Sequence, residues 1–239
     1  MKKAVENEIL IAKISKLLDS LNIKYNNISP YIQAFIHRSI VNERPDYAPV
    51  HNERLEFLGD AVLELIITKN LFNDFPDKPE GDLTDIRSAL VRGTNLAKIA
   101  KTLGLHDFLI LGKGEELGGG RENNYLLANV VEALLGAIYL DGGIEISTSF
   151  VDKHIYITLE DILHNNLTKD YKTLIQELAQ GKFDVTPTYK IISESGPDHD
   201  KDFEVGVYLG EKIIGQGNGS SKKKAQEHAA LNGFNKINI

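Results

Sequence analysis

The stretch His51-Asn-Glu-Arg-Leu-Glu-Phe-Leu-Gly-Asp60, followed at once by Ala-Val-Leu-Glu-Leu-Ile-Ile67, decides how the rest of the chain is read. At about 100° per residue, Leu55, Leu58, Val62, Leu65 and Ile66 fall on one core-facing helical stripe. On another face Glu53, Glu56, Asp60 and Glu64 recur at three- and four-residue steps, a row of carboxylates. Like charges at that spacing destabilise a helix by roughly 0.2–0.5 kcal/mol per pair. Arg54 is the only Lys or Arg in the stretch, and the helical phase turns it away from the row. Two readings follow. The row is a solvated acidic face, or it holds a divalent cation such as Mg²⁺, which takes hard oxygen ligands from carboxylates and leaves its other positions to water and phosphate.

On the N-terminal side, Ile9, Leu10, Ile14, Leu17, Leu18 and Leu21 predict a helix from about Val5 to Leu21, with Asn22 as its stop. Ser29-Pro30 predicts a second start, Ser as N-cap and Pro at the first helical position, carrying Phe35 and Ile36 inward. Pro45 to Pro49 is a loop. On the C-terminal side the central helix ends near Phe75, before Pro76 and Pro79. Glu80-Gly-Asp-Leu-Thr-Asp opens another helix, whose apolar residues from Leu83 to Leu103 run on to Gly104. Gly112-Lys-Gly and Gly118-Gly-Gly lack the Gly-x-x-x-x-Gly-Lys-Ser/Thr spacing of a phosphate cradle and read as turns.

Asn124 to Asp141 is almost wholly apolar and predicts a buried helix. Within it Asn129 and Glu132 stand three residues apart on one face. A glutamate is rarely buried without a partner, so this pair favours the cation reading. Gly142-Gly143 ends that helix, and one more is expected from Ile144 to Leu163. Beyond a short polar segment from His164 the periodicity changes. A helix from Tyr171 to about Gly181 precedes strands at Thr188 to Glu194, Asp202 to Leu209 and Lys212 to Gly217, with Gly210-Glu211 as a tight hairpin turn. Ser220 caps a last helix that opens with Lys222, Lys223 and Lys224 and contains Gly233, which weakens it by about 1 kcal/mol relative to Ala.

The expected architecture is an all-α domain over 1–163, a linker over 164–169 and a small α+β domain of order α-β-β-β-α over 170–239. At 239 residues with 42% hydrophobic content, the chain is long enough to give each domain a core. The absence of cysteine excludes disulfides, zinc–thiolate sites and thiol chemistry. Glu6, Asn7 and Glu8 interrupt any signal-peptide core, and no long uncharged apolar run follows; a soluble, cytoplasmic protein with no membrane partner is expected. Net charge is −7, yet from Lys169 onward ten lysines balance ten acidic residues, so the excess acid lies wholly in the first domain.

Asn52-Glu-Arg-Leu-Glu-Phe-Leu-Gly-Asp60 resembles the signature of ribonuclease III, and three further stretches complete the bacterial form of that family: Glu80-Gly-Asp-Leu, Leu127-Ala-Asn-Val-Val-Glu-Ala, and the C-terminal α-β-β-β-α with Lys-Lys-Lys-Ala. The resemblance implies an all-α nuclease domain followed by a double-stranded-RNA-binding domain, acting as a homodimer that cuts both strands. It implies a Mg²⁺-dependent hydrolysis, with Mn²⁺ as a possible substitute, leaving 5′-phosphate and 3′-hydroxyl ends in the processing of ribosomal and messenger RNA. By position, Glu56, Asp60 and Glu132 resemble the metal-holding carboxylates, with Asp60 and Glu132 as catalytic groups. Glu80 resembles the acidic residue that the dimer partner contributes near the opposite site. Phe57 resembles the knob across the dimer interface; the plainer reading is a core aromatic. Many family members carry Asp where this chain has Asn129. An amide oxygen still ligates Mg²⁺, but one formal charge is lost, which leaves open a non-cleaving RNA binder. A carboxylate-bridged di-iron bundle needs Glu-x-x-His pairs, and the chain has none.

The second domain carries its own candidates. A-form RNA offers a shallow minor groove lined with 2′-hydroxyls and phosphates across a narrow major groove. Lys222, Lys223 and Lys224 at a helix N-terminus suit phosphates, Gln176 and Glu177 suit 2′-hydroxyls, and His199 in the Gly196-Pro-Asp-His-Asp loop suits the second minor groove.

Overall fold

The computed structural model describes residues 2–44, 51–164, 171–196 and 201–237. It has two compact units, 1–168 and 169–239. Of the expected linker, His164 alone is among the described residues, and it closes a helix. His199 lies outside the described residues.

The first unit runs α1 (Lys2–Ser20), α2 (Ser29–Ala34), α3 (Ser39–Glu43), α4 (Glu53–Asp74), α5 (Glu80–Leu90), α6 (Gly93–Thr102), α7 (Lys113–Leu117), α8 (Asn124–His154) and α9 (Leu159–His164), with single 3₁₀ turns between some of them. Its core is organised on α8. From Leu126 to Ile138 that helix is buried on nearly every side, because it packs against α2, α4 and α6 together. By length and hydropathy α8 is apolar enough to cross a membrane, but 56% of the apolar window is buried inside the unit, as a core helix requires.

Four local expectations are corrected. Ser29 does not cap α2; Asn27 accepts the Ser29 N–H through its side-chain oxygen at 3.0 Å. Leu65 does not join the core. It is 61% exposed, and Leu63 and Ile67 are buried beside the expected Ile66, because α8 approaches α4 from a direction turned away from Leu65. The helix expected from Glu80 to Gly104 breaks at Val91-Arg92, where Asn95 donates to the carbonyl oxygen of Leu90 at 2.8 Å and takes over the acceptor that a continuing helix would have used. Gly143, at φ 76° and ψ −171°, kinks α8 where the glycine pair stands, but the second half ends at His154 and does not reach Leu163.

The second unit runs α10 (Tyr171–Phe183), β1 (Thr188–Ser195), β2 (Asp202–Leu209), β3 (Lys212–Gly219) and α11 (Lys222–Ile237), the expected α-β-β-β-α. The sheet is antiparallel in the order β1-β2-β3, and Leu209 faces Lys212 across a two-residue turn in which Gly210 has φ +59°. Val205 and Val207 point inward to Ile175, Ile214, Ala225, Ala229 and Ala230. The cap of α11 is Ser221, not Ser220: its hydroxyl accepts the Lys224 N–H at 3.3 Å. Gly233 is a packing residue, not merely a weak helix former. A Cβ there would lie 2.8 Å from Ile175 and 2.9 Å from Val207, and one on Gly215 or Gly217 would collide with the backbone of α11. The helix therefore lies directly on β3.

Candidate active site and RNA-binding face

Two glycines set the first unit's crossing. A Cβ on Gly59 of α4 would overlap the backbone carbonyl of Glu132 on α8, and one on Gly136 would overlap the carbonyl of Leu55. A glycine inside a strong helix costs about 1 kcal/mol relative to alanine, so it calls for a packing reason. Here the reason is contact between the two backbones. It brings Glu132, 72 residues further along the chain, against the turn of α4 that carries Glu56 and Asp60.

The carboxylate row does not behave as a unit. Glu53 pairs with Arg38 at 3.3 Å, and Glu64 pairs with Arg87 at 3.0 Å. Both ends are thus neutralised by arginines from outside the stretch, and Arg54 is not needed. Glu56 and Asp60, in the middle, meet a third carboxylate instead. Burial, then the charges of Asp60 and Glu56, push the Glu132 carboxyl up to about 8. Glu56 is raised as well, first by burial and then by Glu53 and Asp60, while a hydrogen bond from Asn129 works the other way. Asn129 therefore sits in the cluster. No three Asp, Glu or His side chains among the described residues already converge closely enough to hold an ion. The donors are all hard oxygens, three of them from mutually repelling carboxyls, and that composition suits a hard divalent cation which would draw them together.

Glu80 stands at the first position of α5, exposed, with Thr84 donating to it at 3.4 Å. Phe57 is 81% exposed, which rules out the core-aromatic reading. Leu65 and Phe72, at 61% and 72% exposed, share its helical face, so α4 carries one apolar stripe with no partner among the described residues.

In the second unit Gln176 and Glu177 are exposed on α10, and Lys222, Lys223 and Lys224 are exposed on the first turn of α11. Three cations at a helix N-terminus face the positive end of the dipole, an arrangement that an anion resolves. Lys222 lies 5.6 Å from the Phe203 ring centre, and Lys224 donates to Ser220 at 3.3 Å.

Residues 28–159 match the family model described as Ribonuclease-III-like, and residues 171–237 match the double-stranded RNA binding motif. The chain is 48% identical to Ribonuclease 3 of Desulforamulus reducens, covering 92% of this chain and 89% of the relative. This chain belongs to the ribonuclease III family. It is an endoribonuclease of that family with a double-stranded-RNA-binding domain. Ribonuclease 3 of Streptococcus gordonii is 45% identical over 93% of this chain and 95% of the relative. Among solved structures, the ribonuclease III nuclease domain of Campylobacter jejuni matches with 39% identity and a TM-score of 0.56, over 59% of this chain and 95% of that one. That structure is described as showing flexibility in its region involved in dimer formation. Sequence reasoning missed Gly59, Gly136, Arg38 and Arg87 as parts of this candidate site. A glycine on the same turn as two carboxylates was the available signal for the first; the arginines gave none, since only the fold brings them to the row.

Proposed function

We propose that the protein is a Mg²⁺-dependent endonuclease of double-stranded RNA, with Mn²⁺ as a substitute, working as a homodimer on ribosomal and messenger RNA in the cytoplasm. The observation that carries this reading is the α4–α8 crossing, which gathers Glu56, Asp60, Asn129 and Glu132. These four would hold the ion. A Mg²⁺ ion held there would lower the pKa of a bound water and would neutralise charge developing on the phosphate oxygens. Asp60 and Glu132, ionised by the cation, would orient the attacking water and take up its proton, and Asn129 would hold Glu56 in place while offering its amide oxygen. Glu80 serves the opposite site of the dimer. The exposed stripe Phe57, Leu65 and Phe72 supports burial of that face against a second copy. Lys222, Lys223 and Lys224 bind phosphates, and Gln176, Glu177 and His199 contact the minor grooves.

Incubating the protein with a long perfect RNA duplex tests the reading. Shortening in Mg²⁺ and none in EDTA, with 5′-phosphate and 3′-hydroxyl ends, is the expected result. Intact RNA at every Mg²⁺ and Mn²⁺ level, with binding retained, would instead support the non-cleaving binder, and Asn129→Asp would then restore cleavage.

A further inference from the structure

A polar cleft of about 840 Å³ opens beside the carboxylate cluster, with Glu56 and Asn129 on one wall and Arg38, His51, Asn123 and Tyr125 around the rest. Glu53 and Glu115 also line it, so the cleft is acidic. A single RNA strand entering it brings further negative charge, and phosphate binding draws on Lys and Arg. Among the described residues lining the cleft, Arg38 is the only arginine or lysine. Burial pushes the neighbouring His37 below its ordinary range, so that imidazole is no substitute at neutral pH.

Arg38 is built as a fixed arm with a free end. The backbone on its N-terminal side is tied down: His37 N–H donates to Ile110 at 3.1 Å, and Ile36 accepts from Asn52 at 2.9 Å. On its other side Ser39 accepts the Gly112 N–H at 2.9 Å and meets His37 Nδ1 at 2.8 Å. The Arg38 side chain is 72% exposed, and its guanidinium contacts Glu53 through one nitrogen at 3.3 Å. An exposed pair of that kind holds a side chain weakly. A phosphate, with its full charge and two oxygens for the guanidinium fork, competes well against it.

We infer that Arg38 is an RNA-binding residue of the nuclease unit, which exchanges Glu53 for a backbone phosphate of the cleaved strand next to the scissile bond. The inference rests on the nuclease reading above and extends it from the reacting phosphate to its neighbour. In this arrangement Glu53 parks the guanidinium in the free protein, and the acidic cleft becomes habitable for RNA on one side only, the side that Arg38 borders.

The test uses the full chain and a long RNA duplex, with Arg38→Ala, Arg38→Lys and Glu53→Gln. Binding is followed in EDTA against salt, and cleavage in Mg²⁺. Arg38→Ala is expected to lower kcat/KM by roughly tenfold to a hundredfold. It is also expected to make the log affinity against log salt plot shallower by about 0.9, the share of one phosphate no longer neutralised. Arg38→Lys keeps the slope and recovers part of the rate, and Glu53→Gln keeps the slope because it only releases the arm. A wild-type slope and rate in Arg38→Ala would overturn the inference, as would a Glu53→Gln variant that reproduces its loss of slope. Should the unaltered protein fail to cleave at all, the nuclease reading falls, while the slopes in EDTA still decide whether Arg38 meets RNA.

Discussion

Both units use glycine to bring backbone against backbone, and they use the contact for opposite ends. In the first, Gly59 and Gly136 let α4 and α8 touch, and the touching turns bring half-buried Glu56 and Glu132 together with exposed Asp60 in a cluster of like charge. In the second, Gly215, Gly217 and Gly233 let α11 lie on β3, and the charged residues are left outside, with Lys222 to Lys224 in water. Crowding like charges stores an electrostatic cost that a bound cation relieves. Keeping charges exposed costs little and leaves them free for a long polyanion. The difference matches chemistry in one unit and grip in the other.

The largest test of that contrast is a methyl group at each contact. Gly59→Ala should part the helices, destabilise the first unit by about 1–3 kcal/mol or more, and lower cleavage by about a hundredfold or more, since small displacements of reacting groups are that costly. Gly217→Ala should melt the second unit and abolish tight RNA binding. The calorimetric transition of the first unit should remain where it was. If either substitution unfolds both units together, the two contacts are not independent.

The next effect is in pH. Glu132 has a folded pKa of about 8 against an ordinary value of 4.5, so its proton favours the folded state. The stability it contributes is complete below about 4.5 and is lost as pH rises towards about 8. Metal-free protein should therefore melt at progressively lower temperature between pH 5 and pH 8, with Glu132→Gln flattening the profile. An unchanged slope in the variant would mean that the cluster stores no such cost.

A smaller effect is expected at the exposed lysines. Replacing Lys222, Lys223 and Lys224 by alanine one at a time should leave folding intact and weaken RNA binding alike for every sequence. Each phosphate left without its lysine makes the salt dependence shallower by about 0.9. A sequence-dependent loss would contradict a purely electrostatic grip.

The elements themselves were largely legible because periodicity is local. The carboxylate row and the polar pair Asn129 and Glu132 inside an apolar helix each announce themselves within a dozen residues. What could not be read depends on which side a neighbour approaches. Leu65 fits the apolar phase of α4 as well as Leu55 does, yet α8 arrives on the other side and leaves Leu65 beside Phe57 and Phe72. The row looked uncompensated because Arg38 and Arg87 lie 15 and 23 residues from their carboxylate partners and reach them only in the fold. Gly233 looked like a defect for the same reason: its value lies in Ile175 and Val207, which come from other elements.

The most direct test of the account is cleavage and binding of a long RNA duplex by Glu132→Ala beside the unaltered protein, in Mg²⁺ and in EDTA. Binding within a few-fold of the unaltered protein, with cleavage abolished, is the predicted result, because Glu132 belongs to the carboxylate cluster of the first unit, whereas the lysines proposed to hold RNA belong to the second. Equal loss of binding and cleavage in a folded variant, or full cleavage without Glu132, would contradict it.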